Sequence, residues 1–128
     1  MNDTLKLSVT RQFSASAERV ELQLDWRDDL CTAAGVLHGG ALMSLADTAG
    51  AICAALNLPE GSTGTTTVES KTNLLAAVRD GTVTAVATPL KAGRTLIVVE
   101  TEMRNGDGRL VAKTAQTQAV LKETNAPA

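Results

Sequence analysis

One carboxylate, Asp47, stands inside the most apolar run of the chain. It follows the only histidine, His38, by nine positions and the glycine pair Gly39-Gly40 by eight and seven. The run reads His38-Gly-Gly-Ala-Leu-Met-Ser-Leu-Ala-Asp47-Thr48. On a helix the neighbours of Asp47 at three and four residues are Met43, Ser44, Gly50 and Ala51, none of them a cation. A buried carboxylate without a partner is expensive. Asp47 is therefore either hydrogen-bonded on a polar seam with Ser44 and Thr48, or kept for acid–base or nucleophilic chemistry. The glycines either permit a tight turn into the helix or present its first free N–H groups, at the positive end of the dipole, to an oxyanion or a polarised carbonyl.

Spacing constrains how these two features cooperate. Eight residues span about 12 Å of straight helix, at roughly 1.5 Å per residue. An oxyanion donor and a base must both lie about 3 Å from neighbouring atoms of one substrate. One chain cannot bring both to the same carbonyl, whereas two chains with antiparallel central helices can. A shared reaction centre must span a dimer interface.

The remaining composition narrows the function classes. The chain has 128 residues, 44% hydrophobic and 20% charged, consistent with one globular domain over residues 1–128 with a flexible tail at 122–128. A net charge of −2 gives no footprint for nucleic acid or an anionic membrane. One Phe, one Trp and no Tyr provide no platforms for stacked bases. The first residues lack the apolar core of a signal peptide. The run from Gly39 to Leu58 is broken by Ser44, Asp47, Thr48 and Asn57, so no stretch is expected to span a membrane. Cys31 and Cys53 are isolated and a single histidine cannot complete a zinc site, so no metal is expected and both thiols are read as buried and reduced. The expected location is cytoplasmic.

Apolar periodicity supplies the elements that must position the acid. Residues 4–11 and 20–26 alternate as strands, with Val20, Leu22, Leu24 and Trp26 on one face and QFSASAER between them as a turn or bulge. A helix from about Gly40 to Leu56 is apolar on nearly every side, which predicts that other structure wraps it, and it ends near Pro59. Strands follow at 65–75, 81–90, 94–104 and 109–121, the last two joined by the hairpin turn Asn105-Gly-Asp-Gly108. Two strands, one buried helix and four strands predict an α+β architecture. One antiparallel sheet curled around the helix satisfies this order, and its second face and edges need covering, so at least a homodimer is expected.

The stretch Gly35-Val-Leu-His-Gly-Gly-Ala-Leu-Met-Ser-Leu-Ala-Asp-Thr-Ala49 closely resembles hotdog-fold acyl-CoA thioesterases of the phenylacetate-pathway (PaaI-type) group. The resemblance continues through Thr67-Val-Glu-Ser-Lys-Thr-Asn-Leu-Leu75, Lys91-Ala-Gly-Arg-Thr95 and Asn105-Gly-Asp-Gly-Arg-Leu-Val-Ala112, covering roughly residues 30 to 121. It implies a curved antiparallel sheet of five to six strands wrapped around the helix, and hydrolysis of an aryl- or medium-chain acyl-CoA to free acid and CoA, in aromatic-acid catabolism or CoA recycling. The Gly39 N–H, with Gly40 beside it, would polarise the thioester carbonyl. Asp47 of the partner subunit would act as general base or as nucleophile. Thr67 falls where the family places a hydroxyl beside the acid, and His38 orients the turn. Thr32 stands where the family commonly has Asn or Gln, so its shorter hydroxyl changes the placement of carbonyl or water.

The CoA phosphates imply cations at the entry. Lys91 and Arg94 are foremost, with Lys71 and Arg109 as further candidates. Leu42 and Met43, with Leu74 and Leu75, would line the acyl pocket. The resemblance implies no cofactor and a tetramer built from two dimers. A non-catalytic acyl-CoA-binding protein and a thioester dehydratase or hydratase are the alternatives. The second would need a catalytic histidine with an acidic partner.

Overall fold

The computed structural model describes residues 11–123. Its elements run β1 (Arg11–Ala15), β2 (Val20–Asp25), a short 3-10 turn (Asp28–Leu30), α1 (Gly39–Leu56), β3 (Ser62–Leu74), β4 (Thr82–Ala92), β5 (Leu96–Arg104) and β6 (Leu110–Lys122). The six strands form one antiparallel sheet in the order β1-β2-β4-β5-β6-β3.

Period-two alternation gives the sheet an apolar inner face. Val20, Leu22 and Leu24 of β2, Val83, Ala85 and Ala87 of β4, and Ile97, Val99 and Met103 of β5 are all buried. On α1 the buried residues are Leu42, Leu45, Ala46, Ala49, Gly50, Cys53 and Ala54, the three-and-four spacing of a single helical stripe. Small residues on both sides, such as Ala46, Ala49 and Gly50 of α1 and Ala85 and Ala87 of β4, let the helix and sheet sit close. At the helix end Asn57 donates its amide to the carbonyls of Cys53 (2.8 Å) and Ala17 (2.7 Å), tying α1 to the β1–β2 turn.

Several expectations change. The helix is not wrapped on all sides: Met43, Asp47, Ala55 and Leu56 are exposed along the face turned away from the sheet. Met43, Ala51, Ala55 and Leu56 made that face look as apolar as the buried one. By length and composition, Gly39–Leu56 is also apolar enough to cross a membrane, contrary to the expectation that no stretch approaches a span. Its buried stripe against the sheet accounts for that apolar character as core packing. Residues 4–10 of the first expected strand lie outside the described residues. Residues 12–15, read as a connection, belong to β1, with an irregular register between Gln12 and Ser14 and a turn closed by Ser16 and Arg19.

The later strand ends shift because the turns are tighter than the composition suggested. The β4–β5 hairpin closes through Gly93 N–H to Leu96 O, so Arg94 and Thr95 lie in the turn rather than in β5. The Asn105–Gly108 turn forms as expected. The Asn105 side chain accepts from the N–H groups of Asp107 and Arg109 at 3.0 Å each, and Gly108 takes φ +82°. Residues 124–128 of the expected tail lie outside the described residues. Among the described residues β3 pairs with β6 alone, which leaves its other edge open along 13 residues.

Leu45, fully buried between α1 and the sheet, anchors this packing. Leu45→Ala is expected to lower unfolding free energy by about 2–5 kcal/mol in urea titrations followed by circular dichroism.

Candidate active site

The segment entering α1 is held by its backbone. Trp26 donates its indole N–H to Gly35 O (3.1 Å), the N–H of Leu37 bonds Val78 O (2.9 Å), and that of His38 bonds Leu30 O (2.9 Å). His38 occupies the N-cap in an extended conformation (φ −56°, ψ 138°) and makes no side-chain cap bond. Its carbonyl accepts from the N–H groups of Ala41 and Leu42. The N–H groups of Gly39 and Gly40 precede these and belong to the helix's unpaired terminal donors. His38 thus shapes the turn through its main chain while its side chain is exposed.

Gly39 lies directly under the tip of the Leu74 side chain. A Cβ there would overlap the Leu74 side chain, which lies across the first turn of the helix. Around this contact is a cavity of about 350 Å³ lined by Val36, Leu37, Gly39, Leu42 and residues 74–77. Leu42 therefore faces the cavity. Met43 does not line it and is 45% exposed on the open helix face.

The acid lies elsewhere. Asp47 is exposed on the open face of α1, and its Oδ1 is 3.5 Å from Nε2 of Gln116 on β6. The polar seam does not satisfy it. Ser44 donates to Gly40 O and Thr48 to Ser44 O, each at 2.9 Å, so both hydroxyls spend their protons on the helix backbone. On β3, Thr67 Oγ1 accepts a 2.6 Å bond from Nε2 of Gln118, and Gln118 Oε1 accepts from the Thr65 hydroxyl at 3.1 Å.

Gln116 and Gln118 were missed by the sequence reading, although both are 1% exposed and touch Asp47 and Thr67. The signal was present. In Arg109-Leu-Val-Ala-Lys-Thr-Ala-Gln-Thr-Gln118 the alternation puts Thr114, Gln116 and Gln118 on the face that must be buried.

The structure separates the predicted residues into two groups. Leu74 pairs with Ala112 at one end of the β3–β6 ladder and Thr67 with Gln118 six residues further along, about 20 Å at roughly 3.3 Å per residue. The Gly39 cavity belongs to the first end. Lys91 and Arg94, both exposed, belong to the second, where the β4–β5 turn lies beyond the row joining Leu96, Ala119 and Thr66. Lys71 is exposed on β3 and Arg109 in the β5–β6 turn. Thr32 is exposed in the β2–α1 segment, its N–H bonded to Val36 O, and it does not line the cavity. Among the described residues no group of three His, Cys, Asp or Glu is placed to hold a metal ion.

A long helix seated on a six-stranded antiparallel sheet, with a His-Gly-Gly turn at its start and an acid on its open face, defines a hotdog-fold protein. The model of the Thioesterase superfamily matches residues 34–112, and the chain belongs to that superfamily. A Haemophilus influenzae relative is 38% identical over 87 residues, which are 68% of this chain and 62% of that protein's length. The Escherichia coli 1,4-dihydroxy-2-naphthoyl-CoA hydrolase is 33% identical over 87 residues, 68% of this chain and 63% of that enzyme. Among solved structures, the Haemophilus influenzae thioesterase HI1161 superposes with a TM-score of 0.85 at 29% identity, covering 94% of this chain and 84% of that one. The conserved protein PA5202 of Pseudomonas aeruginosa gives 0.82 at 35% identity, with 94% and 95% covered.

The thiols are poor nucleophiles here. Cys53 is fully buried, and burial raises its pKa. Cys31 is half-buried rather than buried as expected, donating to Arg27 O; burial and then the charges of Asp28 and Asp29 raise its pKa. A raised thiol pKa means less thiolate at neutral pH. Iodoacetamide at pH 7.5 is expected to label both cysteines far more slowly in the folded protein than in urea, with the Cys31 rate climbing as pH rises.

Proposed function

We propose that this protein is an acyl-CoA thioesterase acting on aryl- or medium-chain acyl-CoA, with each active centre shared between two copies of the chain. The observation that carries the reading is the split of the site. The helix-terminal donors and the apolar cavity lie at one end of α1, while Asp47 and Thr67 lie toward the other half of the sheet. The open helix face and the open β3 edge are the surfaces a second copy would cover. Burying them in a homodimer with antiparallel helices brings the Gly39 end of one protomer to the Asp47 of its partner. A tetramer would be two such dimers.

In such a site the Gly39 N–H, with that of Gly40 beside it, takes the thioester carbonyl oxygen. Charge developing on that oxygen is stabilised by the donors and by the helix dipole. Asp47 of the partner subunit either removes a proton from water as it attacks the carbonyl carbon, or attacks directly and forms an anhydride that water then opens. The carbon–sulfur bond breaks, a carbon–oxygen bond forms, and CoA leaves as thiolate to take up the proton. The Thr67 hydroxyl positions the water or the carboxylate.

The acyl group enters the cavity beside Leu42, Leu74 and Leu75, whose apolar lining suits an aryl ring or a medium chain. The Escherichia coli relative named for an aryl-CoA supports the aryl end of that range. Lys91 and Arg94, on the acid side, are placed to meet the CoA phosphates. Thr32, where the family commonly has Asn or Gln, offers only a shorter hydroxyl for placing carbonyl or water. A cytoplasmic, reducing setting suits the free thiols at Cys31 and Cys53.

Release of free thiol from a panel of acyl-CoA esters tests the activity. Asp47→Asn is expected to lower turnover by about 10²–10⁴-fold, as for loss of a general base. Undiminished turnover in that variant would remove Asp47 from the mechanism. Tight binding of esters with no thiol release by the wild type would make this a binding protein instead.

Sharing between subunits has its own test. Gly39→Pro removes one donor at the first helical position, where the ψ of His38 is already suitable for proline and the added Cβ displaces only the far end of the Leu74 side chain, which is 54% exposed and free to turn aside. A mixed dimer of Gly39→Pro and Asp47→Asn chains retains one centre with both groups intact. Co-purified, differently tagged chains are expected to turn over well above either parent variant. No gain on mixing would place the whole site within one chain.

A further inference from the structure

The inner face of the sheet is apolar along β2 and β4 and turns polar along β6, where Thr114, Gln116 and Gln118 are each 1% exposed. An amide this deeply buried needs partners for its N–H2 and its oxygen. Gln118 has both. Its oxygen lies 3.1 Å from the Thr65 hydroxyl, which shares its one proton with the Ala119 carbonyl at 3.0 Å, and its nitrogen gives a 2.6 Å bond to Thr67 Oγ1. Because that bond occupies an acceptor position of Oγ1, the Thr67 hydroxyl must send its own proton elsewhere. Thr67 is exposed, so that direction is outward.

Gln116 works on the acid. An ionised carboxylate only accepts, so the amide nitrogen must face Asp47, as found at 3.5 Å. The oxygen is then turned inward, where it has no hydrogen-bond partner among the described residues and occupies the space that a Cβ at Gly50 would need. Packing alone does not explain this arrangement. A methionine would fill the same volume without leaving a buried oxygen unpaired, and Gly50 leaves room for a head group that is uncomfortable there.

We infer that Gln116 and Gln118 are positioning residues that set the Asp47 carboxylate and the proton of the Thr67 hydroxyl from beneath. Two residues apart on one strand face, their Cα atoms are about 7 Å from each other, and the strand fixes the spacing between acid and hydroxyl. The inference rests on the thioesterase reading for its catalytic meaning, and on the two hydrogen bonds for its geometry.

The test pairs a kinetic with a spectroscopic measurement. In Gln116→Met and Gln118→Met, with cooperative thermal unfolding confirming the fold, kcat is expected to fall about tenfold or more while KM stays within about twofold, as when a group acts in the transition state alone. Once Asp47→Asn or Thr67→Val is present, the matching glutamine substitution is expected to add little, whereas independent structural roles would add fully. Side-chain amide resonances in the wild type need no substrate. That of Gln116 is expected to shift in Asp47→Asn and that of Gln118 in Thr67→Val, each leaving the other in place.

Folded methionine variants with wild-type kcat, or amide resonances indifferent to their partners, overturn the inference even where hydrolysis depends on Asp47. If no ester is turned over but both amides respond, the positioning stands and the thioesterase reading falls.

Discussion

The close seating of α1 on the inner face of the sheet is the constraint from which the other features follow. Ala46, Ala49 and Gly50 present almost no side chain to the sheet, so helix backbone comes within reach of β6 side chains. Only at that distance can a glutamine rooted on a strand touch a carboxylate on the helix. Burial of one helical stripe also dictates exposure of the opposite one, and that is where Asp47 stands. The same packing that stabilises the fold delivers the acid to an open surface.

This separation of faces resolves the tension of an acid in an apolar run. Asp47 is not a buried charge made tolerable by a partner on its own helix. It is a charge on the outer stripe of a helix whose alanines disguise which stripe is outer. The amide that meets it, that of Gln116, comes from a strand 69 residues away in sequence. The terminal donors of the helix are likewise free because the preceding segment is pinned by main-chain bonds to Leu30 and Val78, without a side chain capping the first turn.

Much of this was legible in the residues and some was not. Alternation in β2, β4 and β5 reported directly on burial, because each of those strands has one wet and one dry face. The Asn105–Gly108 hairpin was legible because its chemistry is local. The helix's open face was not, since the pattern of small residues is shared by a wrapped helix and a half-covered one. Gln116 and Gln118 were hidden for a different reason: a polar residue at an inward strand position looks like a solvated one until its partners, all distant in sequence, are known. The family motif singled out Gly39 and Asp47, but the glutamine beneath the acid is set by long-range register.

That register has a consequence for how the chain is made. Among the described residues β3 finds its only neighbour in β6, the last of the described strands, and the bond from Gln118 to Thr67 closes a separation of 51 residues. During synthesis, β1, β2, α1, β4 and β5 can all gather while β3 has nothing to pair with. Thr67 must wait, unsupported, until the final dozen or so residues of the sheet emerge. The hydroxyl side of the candidate site is therefore among the last parts of the sheet to take shape, and a chain halted before β6 has its helix seated on β2, β4 and β5 but no glutamine beneath its acid.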